Sequence, residues 1–536
     1  MATIFSDTDK VFEFMEENMV ILNFRGEDQE FLPRSAFEQV TTKDVIRLAA
    51  LEPHDFLWTD QALENFVDRV YEQGRIMFAT CFYAQGLTMN ILKGLLDQGL
   101  TDADIPLPRN ACANTKLKRY VSAFRDNQKR FYVADFQKNS YQDLDGITKP
   151  INFEEKPSNL LGRGAFGEVW SIKLHSEHHS LLSRPNQSQE FALKVTQQES
   201  RELDFHDAMR KLSHPHLLKC LASFTFDSKY HMIYEKADCN VEDFMKRHEN
   251  AQNLSQLSGQ DLAEQLYGLA EALSVIHNQE DTNFNLKSNL LSIPQKPPPR
   301  SGYIHDIKPE NLLLFIYERN GRKRYWFRLS DFSCAKVVEF VAVVSGKRWS
   351  HLSDNKAGTP TYRAPERLME QGTSRPYDMW SLGCVYLELL VWFLDGHNAL
   401  DEFRDARSRP VKPGGMIDDG FCFMDEAGPT ARVQLREEVV TKMAELSERC
   451  SGALKDIADA IPKLLEIEPK RRLTAEQLVS TLKHLATDEG LSFDAQQPGS
   501  FMGSNTNVSP IPTPAYDSDS DCSSFDGLVK VTRPTQ

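Results

Sequence analysis

Three glycines in Leu161-Gly162-Arg163-Gly164-Ala165-Phe166-Gly167-Glu168-Val169 constrain the fold of this chain more than any other stretch. A G-x-G-x-x-G loop lets backbone N–H groups approach phosphate oxygens, because no Cβ stands in the way. The residues after the loop decide its architecture. A dinucleotide-binding turn opens a helix, whereas Val169-Trp170-Ser171-Ile172 reads as a strand. A glycine-rich hairpin at the start of a sheet is therefore expected. Phe191-Ala192-Leu193-Lys194-Val195 supplies a further strand, with one lysine among apolar neighbours. His175, His178 and His179 lie in the polar connection between them, without cysteine or acidic partners at metal-ligand spacing.

A second stretch carries the chemistry. Tyr303-Ile304-His305-Asp306-Ile307-Lys308-Pro309-Glu310-Asn311-Leu312-Leu313 sets a carboxylate, an ammonium and a carboxamide on one short loop. Phosphoryl transfer needs such a set: a base to orient a hydroxyl, a cation for the phosphate, and a neutral oxygen donor for Mg²⁺. The stretch resembles the catalytic loop of eukaryotic protein kinases, H-R-D-x-K-x-x-N, and Lys308 resembles the serine/threonine class. Other segments extend the resemblance in the same order along the chain. Ser330-Asp331-Phe332-Ser333 resembles the D-F-G element. Gly358-Thr359-Pro360-Thr361-Tyr362-Arg363-Ala364-Pro365-Glu366 matches G-T-x-x-Y-x-A-P-E. Tyr377-Asp378-Met379-Trp380 resembles the start of the central helix of the large lobe.

The resemblance implies an α+β two-lobed protein kinase fold over residues 155–488, acting on serine or threonine hydroxyls of proteins with ATP and Mg²⁺. Leu161, Gly162, Arg163, Gly164, Ala165, Phe166, Gly167 and Val169 would cover the nucleotide, and Ala192 and Leu313 would sandwich adenine. The backbone from Glu235 to Ala237 would meet the adenine edge. Lys194 would hold phosphate, paired with Glu202, or with Glu199 as the alternative. Asp306 would be the base, and Lys308 would steady the γ-phosphate. Thr359 would bridge these two, while Asn311 and Asp331 would hold the metal. Asp378 would hold the catalytic-loop backbone and Glu366 would pair with Arg472. Two positions depart from the family pattern: His305 replaces an arginine and Ser333 a glycine. They keep open a second reading, a catalytically weak or dead kinase-fold scaffold. Among relatives the chain looks most like divergent kinases of filamentous fungi.

The flanks lie outside the resemblance. Residues 1–150 show helical periodicity, with a capping pattern at Thr41-Thr42-Lys43-Asp44 and Leu63, Phe66, Val67, Val70 and Tyr71 on one helical face. An all-α N-terminal domain is expected there, binding a protein partner or simply stabilising its neighbour. From 489 onward the chain turns polar, with Ser509-Pro510, Thr513-Pro514 and an acidic serine run, and a disordered tail is expected. The net charge of -15 has no basic stripe to offset it, so nucleic acid is a poor partner. The longest apolar run, Leu382 to Leu394, is short for a membrane span and contains Glu388, so it reads as a buried helix. The 9 cysteines are scattered and never spaced C-x-x-C, which points to a reducing intracellular compartment, cytoplasmic or nuclear.

Overall fold

The computed structural model describes residues 5–52, 58–84, 86–112, 115–164, 167–182, 190–197, 214–249, 254, 256–278, 300–319, 321–332, 335–341, 349–350, 359–410, 417–425 and 432–486. These residues form two compact units. One takes the described chain up to Glu13 together with Gln39–Gln128, and the other takes Phe14–Glu38 and the described chain from Lys129 to Ala486.

Helices are the only regular structure among the described residues of the first unit. Its helices include Lys43–Leu51, Asp60–Gln73, Arg75–Tyr83, Met89–Asp97 and Val121–Gln128. Thr42 caps the first of these, its hydroxyl accepting from Val45 N at 3.3 Å. Leu63, Phe66, Val67 and Val70 form the buried face of the second, while Tyr71 stays exposed. Gly74 ends that helix and the next begins at Arg75, so the apolar pattern becomes consecutive helices and not one rod.

The second unit begins earlier in the chain than the expected boundary at 150. Strands β1 (Val20–Phe24) and β2 (Glu27–Phe31) form a hairpin around Arg25 and Gly26. Both turn residues have positive φ, 55° and 87°, as a two-residue turn matching strand twist requires. The hairpin is stitched to residue 153 by Arg25 N to Phe153 O and Phe153 N to Asn23 O, both 2.7 Å. It carries Phe24 into a core made with Phe136, Phe153, Trp170, Phe191 and Phe224. The Lys149 ammonium lies 3.9 Å from the Phe226 ring centroid and 5.5 Å from that of Phe24. Residues 14–38 and 129–150 therefore belong to the sheet-bearing unit, and the helical domain is an insertion between them.

That sheet runs in the order β3-β8-β9-β7-β6-β4, with β5 paired to β6. Its strands are β3 (Ser140–Asp143), β4 (Ile151–Asn152), β5 (Leu160–Gly164), β6 (Gly167–Leu174), β7 (Glu190–Gln197), β8 (Cys220–Phe226) and β9 (Lys229–Glu235). β5 and β6 form the antiparallel glycine hairpin that the sequence leads one to expect.

Helices dominate the larger lobe of this unit. Ser258 opens helix Gly259–His277 with a reciprocal capping box to Asp261, and Leu262, Leu266, Leu269, Leu273 and Ile276 face the core. Helix Arg375–Asp395 is long and apolar enough to cross a membrane by composition, yet 89% of that window is buried inside the protein. The acid in its middle, Glu388, is fully buried against Arg404 and Arg407. Strands β10 (Cys239–Asn240), β11 (Arg300–Tyr303), β12 (Leu312–Arg319) and β13 (Arg322–Leu329) complete the region around the site, with β12 and β13 paired over their full length. The tail expected to be disordered lies outside the described residues.

Candidate active site

The loop from Tyr303 to Leu313 is held from beneath. Asp378 is completely buried at the start of the core helix, where its two oxygens accept Ile304 N and His305 N at 2.8 Å each. His277 Nε2 lies 3.0 Å from the same carboxylate. This grip accompanies a left-handed backbone at His305, φ 70°, a conformation that non-glycine residues keep only where surrounding contacts impose it. The His305 ring lies between those of Tyr303 and Tyr377, at centroid distances of 4.6 and 4.9 Å.

The next residue, Asp306, is fixed by several donors. Thr359 gives both its backbone N–H and its hydroxyl to Oδ1 at 2.9 Å. Asn311 Nδ2 donates to Oδ2 at 2.9 Å and to the Asp306 carbonyl at 2.8 Å. Lys308 Nζ stands 3.0 Å from Oδ2 and donates to Thr359 Oγ1 at 2.6 Å. Thr359 thus bridges Asp306 and Lys308, closing a ring of contacts between the loop and the segment that ends at Glu366. Because both amide hydrogens of Asn311 are committed to Asp306, its carboxamide oxygen is left as the neutral acceptor.

Asp331 reaches the same place along β13. Ser330 donates its N–H and its hydroxyl to Asn311 O at 3.0 and 2.7 Å, which ties the end of that strand to the loop. Asp331 also has a left-handed backbone, φ 53°. Its Oδ1 accepts from Lys194 Nζ at 2.9 Å, across from the small lobe. Lys194 sits on β7 opposite Val169 on β6 and Met232 on β9. Gly167 opens β6 at φ 142°, and a Cβ there would come within 2.2 Å of Val195 O, so the hairpin admits only glycine. At Gly162 and Gly164, by contrast, a Cβ would meet nothing of the protein within 4 Å.

An apolar wall stands beside the Lys194–Asp331 pair. Ala192, Tyr234, Met232 and Phe315 form one buried cluster, and Val169, Ala237 and Leu313 pack against it. The residues expected above and below adenine are thereby brought together. Leu161 and Arg163 lie on the exposed rim instead, with Arg163 Nε bonded to Glu168 at 2.8 Å. The Glu235 carboxylate is turned to Arg328 Nη1 at 2.6 Å. Ala165, Phe166, Glu199, Glu202, Ser333 and Gly358 lie outside the described residues. Among the described residues no cluster of histidine, cysteine or acid side chains is placed to hold a metal by itself, the His175–His179 region included.

Sequence reasoning missed the ionic centre behind the site. Arg404 forks onto Glu242 at 2.8 Å through each of two nitrogens and onto Glu388 at 2.8 Å. Arg407 Nη2 meets Glu388 at 2.7 Å, and Tyr362, three residues beyond Thr359, donates its hydroxyl to Glu388 at 2.9 Å. Burial opposes charge on Glu388, but Arg407 and Arg404 outweigh it and hold the carboxyl below its ordinary range. The only sequence signal was an acid inside an apolar run. Glu366 and Arg472, paired by resemblance alone, form a buried bidentate bridge at 3.0 and 3.1 Å.

A small, mainly antiparallel sheet lobe delivering a lysine to an aspartate of a helical lobe, beside a carboxylate held by threonine, lysine and asparagine, defines a kinase-type fold. Comparison with known proteins narrows this. Two family descriptions match: "Protein tyrosine and serine/threonine kinase" over residues 156–282 and "Protein kinase domain" over residues 300–482. The meiosis induction protein kinase IME2/SME1 of Saccharomyces cerevisiae is 26% identical over 243 residues, 38% of this chain and 36% of that protein. The mouse serine/threonine-protein kinase DCLK3 is 32% identical over 176 residues, 32% of this chain and 17% of that one. The Drosophila melanogaster serine/threonine-protein kinase fused is 25% identical over 235 residues, 44% and 24% respectively. The chain spans little more than a third of the length of these relatives at most. It belongs to the eukaryotic protein kinase superfamily.

Proposed function

We propose that the protein transfers the γ-phosphate of Mg-ATP to serine or threonine hydroxyls of protein substrates inside the cell. The observation that carries this is the fixed Asp306 carboxylate, which shares Thr359 with Lys308 and Asn311 with the strand end that presents Asp331. Asp306 orients the acceptor hydroxyl and takes its proton. Lys308, a strongly hydrated point charge on a flexible stem, steadies the phosphate in transit, and Lys194 holds the nucleotide phosphates from the other lobe. Val169, Ala192, Ala237 and Leu313 enclose the base. The open space at Gly162 and Gly164 suits a guest that needs backbone at close range. A carboxylate and a neutral carboxamide oxygen, Asp331 and Asn311, are the hard oxygen donors that Mg²⁺ takes. When bound, that ion neutralises phosphate charge. The helical insertion would bind a protein partner or stabilise its neighbour.

The test is phosphorylation of protein substrates by the purified chain with Mg-ATP, followed by analysis of which residue types are modified. Asp306→Asn should lower the rate by about two to four orders of magnitude, the range for losing a general base, with ATP affinity nearly unchanged. Near wild-type turnover in that variant would remove Asp306 from the mechanism. A wild-type protein that binds Mg-ATP without transferring phosphate would favour the scaffold reading.

A further inference from the structure

The segment joining the lobes is clamped from both sides, and the large-lobe side of the clamp is an arginine outside the reacting centre. Glu235 ends β9 of the small-lobe sheet, yet its carboxylate is held from the large lobe by Arg328 Nη1 at 2.6 Å and Tyr317 OH at 3.3 Å. Lys236, the next residue, is held from the small lobe by Glu190 at 2.7 Å. Beyond them Asp238 is stitched to β12, its N–H donating to Leu314 O at 3.0 Å and its carboxylate accepting Ile316 N at 2.7 Å.

Arg328 is the centre of this arrangement. Its Nη2 donates to Tyr317 OH at 3.0 Å and its Nε to Pro215 O at 3.2 Å, and its guanidinium lies 4.2 Å from the Phe315 ring centroid. Trp326, on the same strand, donates to the same Pro215 carbonyl at 2.8 Å. Strand β13 therefore grips the small lobe at two points, residues 215 and 235, both far from it in sequence. It then runs through Leu329 and Ser330 into Asp331. A planar fork that meets three acceptors at once is a task for arginine, because lysine offers a point charge. With its side chain only 13% exposed, Arg328 also makes its bond to Glu235 where water competes little.

We propose that Arg328 is a positioning residue for the nucleotide: it fixes Glu235, and so sets the backbone of residues 235–237 against the adenine edge while tying that backbone to the strand that delivers Asp331. The inference rests on the kinase reading, in which residues 235–237 meet adenine. Arg328 touches none of the reacting atoms, so its loss weakens nucleotide binding and leaves the transfer step largely intact.

Steady-state kinetics with Mg-ATP would compare wild type with Arg328→Met, Arg328→Lys, Glu235→Gln and the Arg328→Met/Glu235→Gln pair. Methionine keeps an apolar stem over Phe315 and removes the fork. Arg328→Met should raise KM for ATP about tenfold, equivalent to about 1.4 kcal/mol, with kcat within about threefold by the same scale. Arg328→Lys should recover part of that loss. The double variant should be no worse than Arg328→Met, because both changes remove one interaction. Hydrogen exchange should quicken at residues 235–239 and stay unchanged at 304–311. An unchanged KM in Arg328→Met, or a parallel fall of kcat and thermal midpoint without a KM change, overturns the proposal. If Arg328→Met fails to fold, Glu235→Gln decides alone: it keeps the shape of the side chain, and an unchanged KM and hinge exchange rate overturn the proposal. A wild-type chain with no ATP-dependent turnover would instead sink the kinase reading beneath it.

Discussion

Residues 14–38, which carry the hairpin, and the helices of residues 39–128 are neighbours in sequence, yet they answer to different cores. Phe24 is buried among Phe136, Phe153 and Trp170 of the sheet. Val67, Val70, Phe78, Leu92 and Leu96 are buried on helices of the other unit. Within the kinase unit, Leu32 N donates to Arg130 O at 2.9 Å, so the chain leaves and returns at adjoining points. A domain inserted at such a point can be carried without opening the sheet that bears it. Their ion pairs differ too. The helical unit pairs its charges at the surface, as in Lys43–Asp68 and Arg47–Glu64, whereas the kinase unit buries Glu366–Arg472 and Glu388–Arg407.

Two deletions should differ most sharply. Removing residues 1–150 strips Phe24, Phe136 and Leu144 from the small-lobe core, and the remaining chain should show no cooperative unfolding transition. Replacing 39–128 with a short glycine-serine linker keeps all three, and that protein should unfold cooperatively and keep ATP-dependent activity. Equal behaviour of the two shortened proteins would end the distinction between hairpin and insertion.

Single arginines should differ next. Arg472→Ala leaves Glu366 buried and unpaired, and should cost about 3–5 kcal/mol of stability in the kinase unit. Arg47→Ala breaks an exposed pair and should leave the transition of the helical unit where it is. Calorimetry that resolves the two transitions checks both.

A weaker divergence should appear with pH. In the small lobe, burial lowers His178 and His231 to about 4, with His175 also lowering the former. Both are depressed below the unfolded value of about 6.5, so the folded state holds fewer protons than the unfolded one. Their contribution is complete above about 6.5 and is lost as pH falls toward 4. Asp102 of the helical unit behaves oppositely. Burial raises it to about 6, even though its carboxylate accepts Ile76 N and Met77 N at 2.9 and 3.0 Å. Folding there takes up protons, so its contribution is present at low pH and fades as pH rises through about 6. Acidification from about pH 7 to about pH 5 should therefore lower the kinase-unit midpoint and raise that of the helical unit. Midpoints moving in the same direction by the same amount would erase the contrast.

Local features were legible in the residues alone. Glycines before a strand-like run specify a hairpin because backbone freedom and β-propensity act over a few residues. Asp306, Lys308 and Asn311 sit on one loop, so their association needs no long-range information. Ser258 and Thr42 cap helices for the same reason. The hairpin at 20–31 left a weaker signal. Arg25-Gly26 follows an apolar strand, but the returning strand reads Glu27-Asp28-Gln29-Glu30-Phe31, with a single apolar residue, and the helical periodicity on either side masked it.

Long-range packing chose which core each segment joined and which charges met. Arg328 finds Glu235 across 93 residues, and Arg404 finds Glu242 across 162. No periodicity encodes such pairs, because each depends on where separate strands and helices come to rest. A buried guanidinium persists only where carboxylates, carbonyls and rings arrive together from distant parts of the chain. That arrival belongs to packing: it held Glu388 charged inside an apolar helix and placed Phe24 in the core of the small lobe.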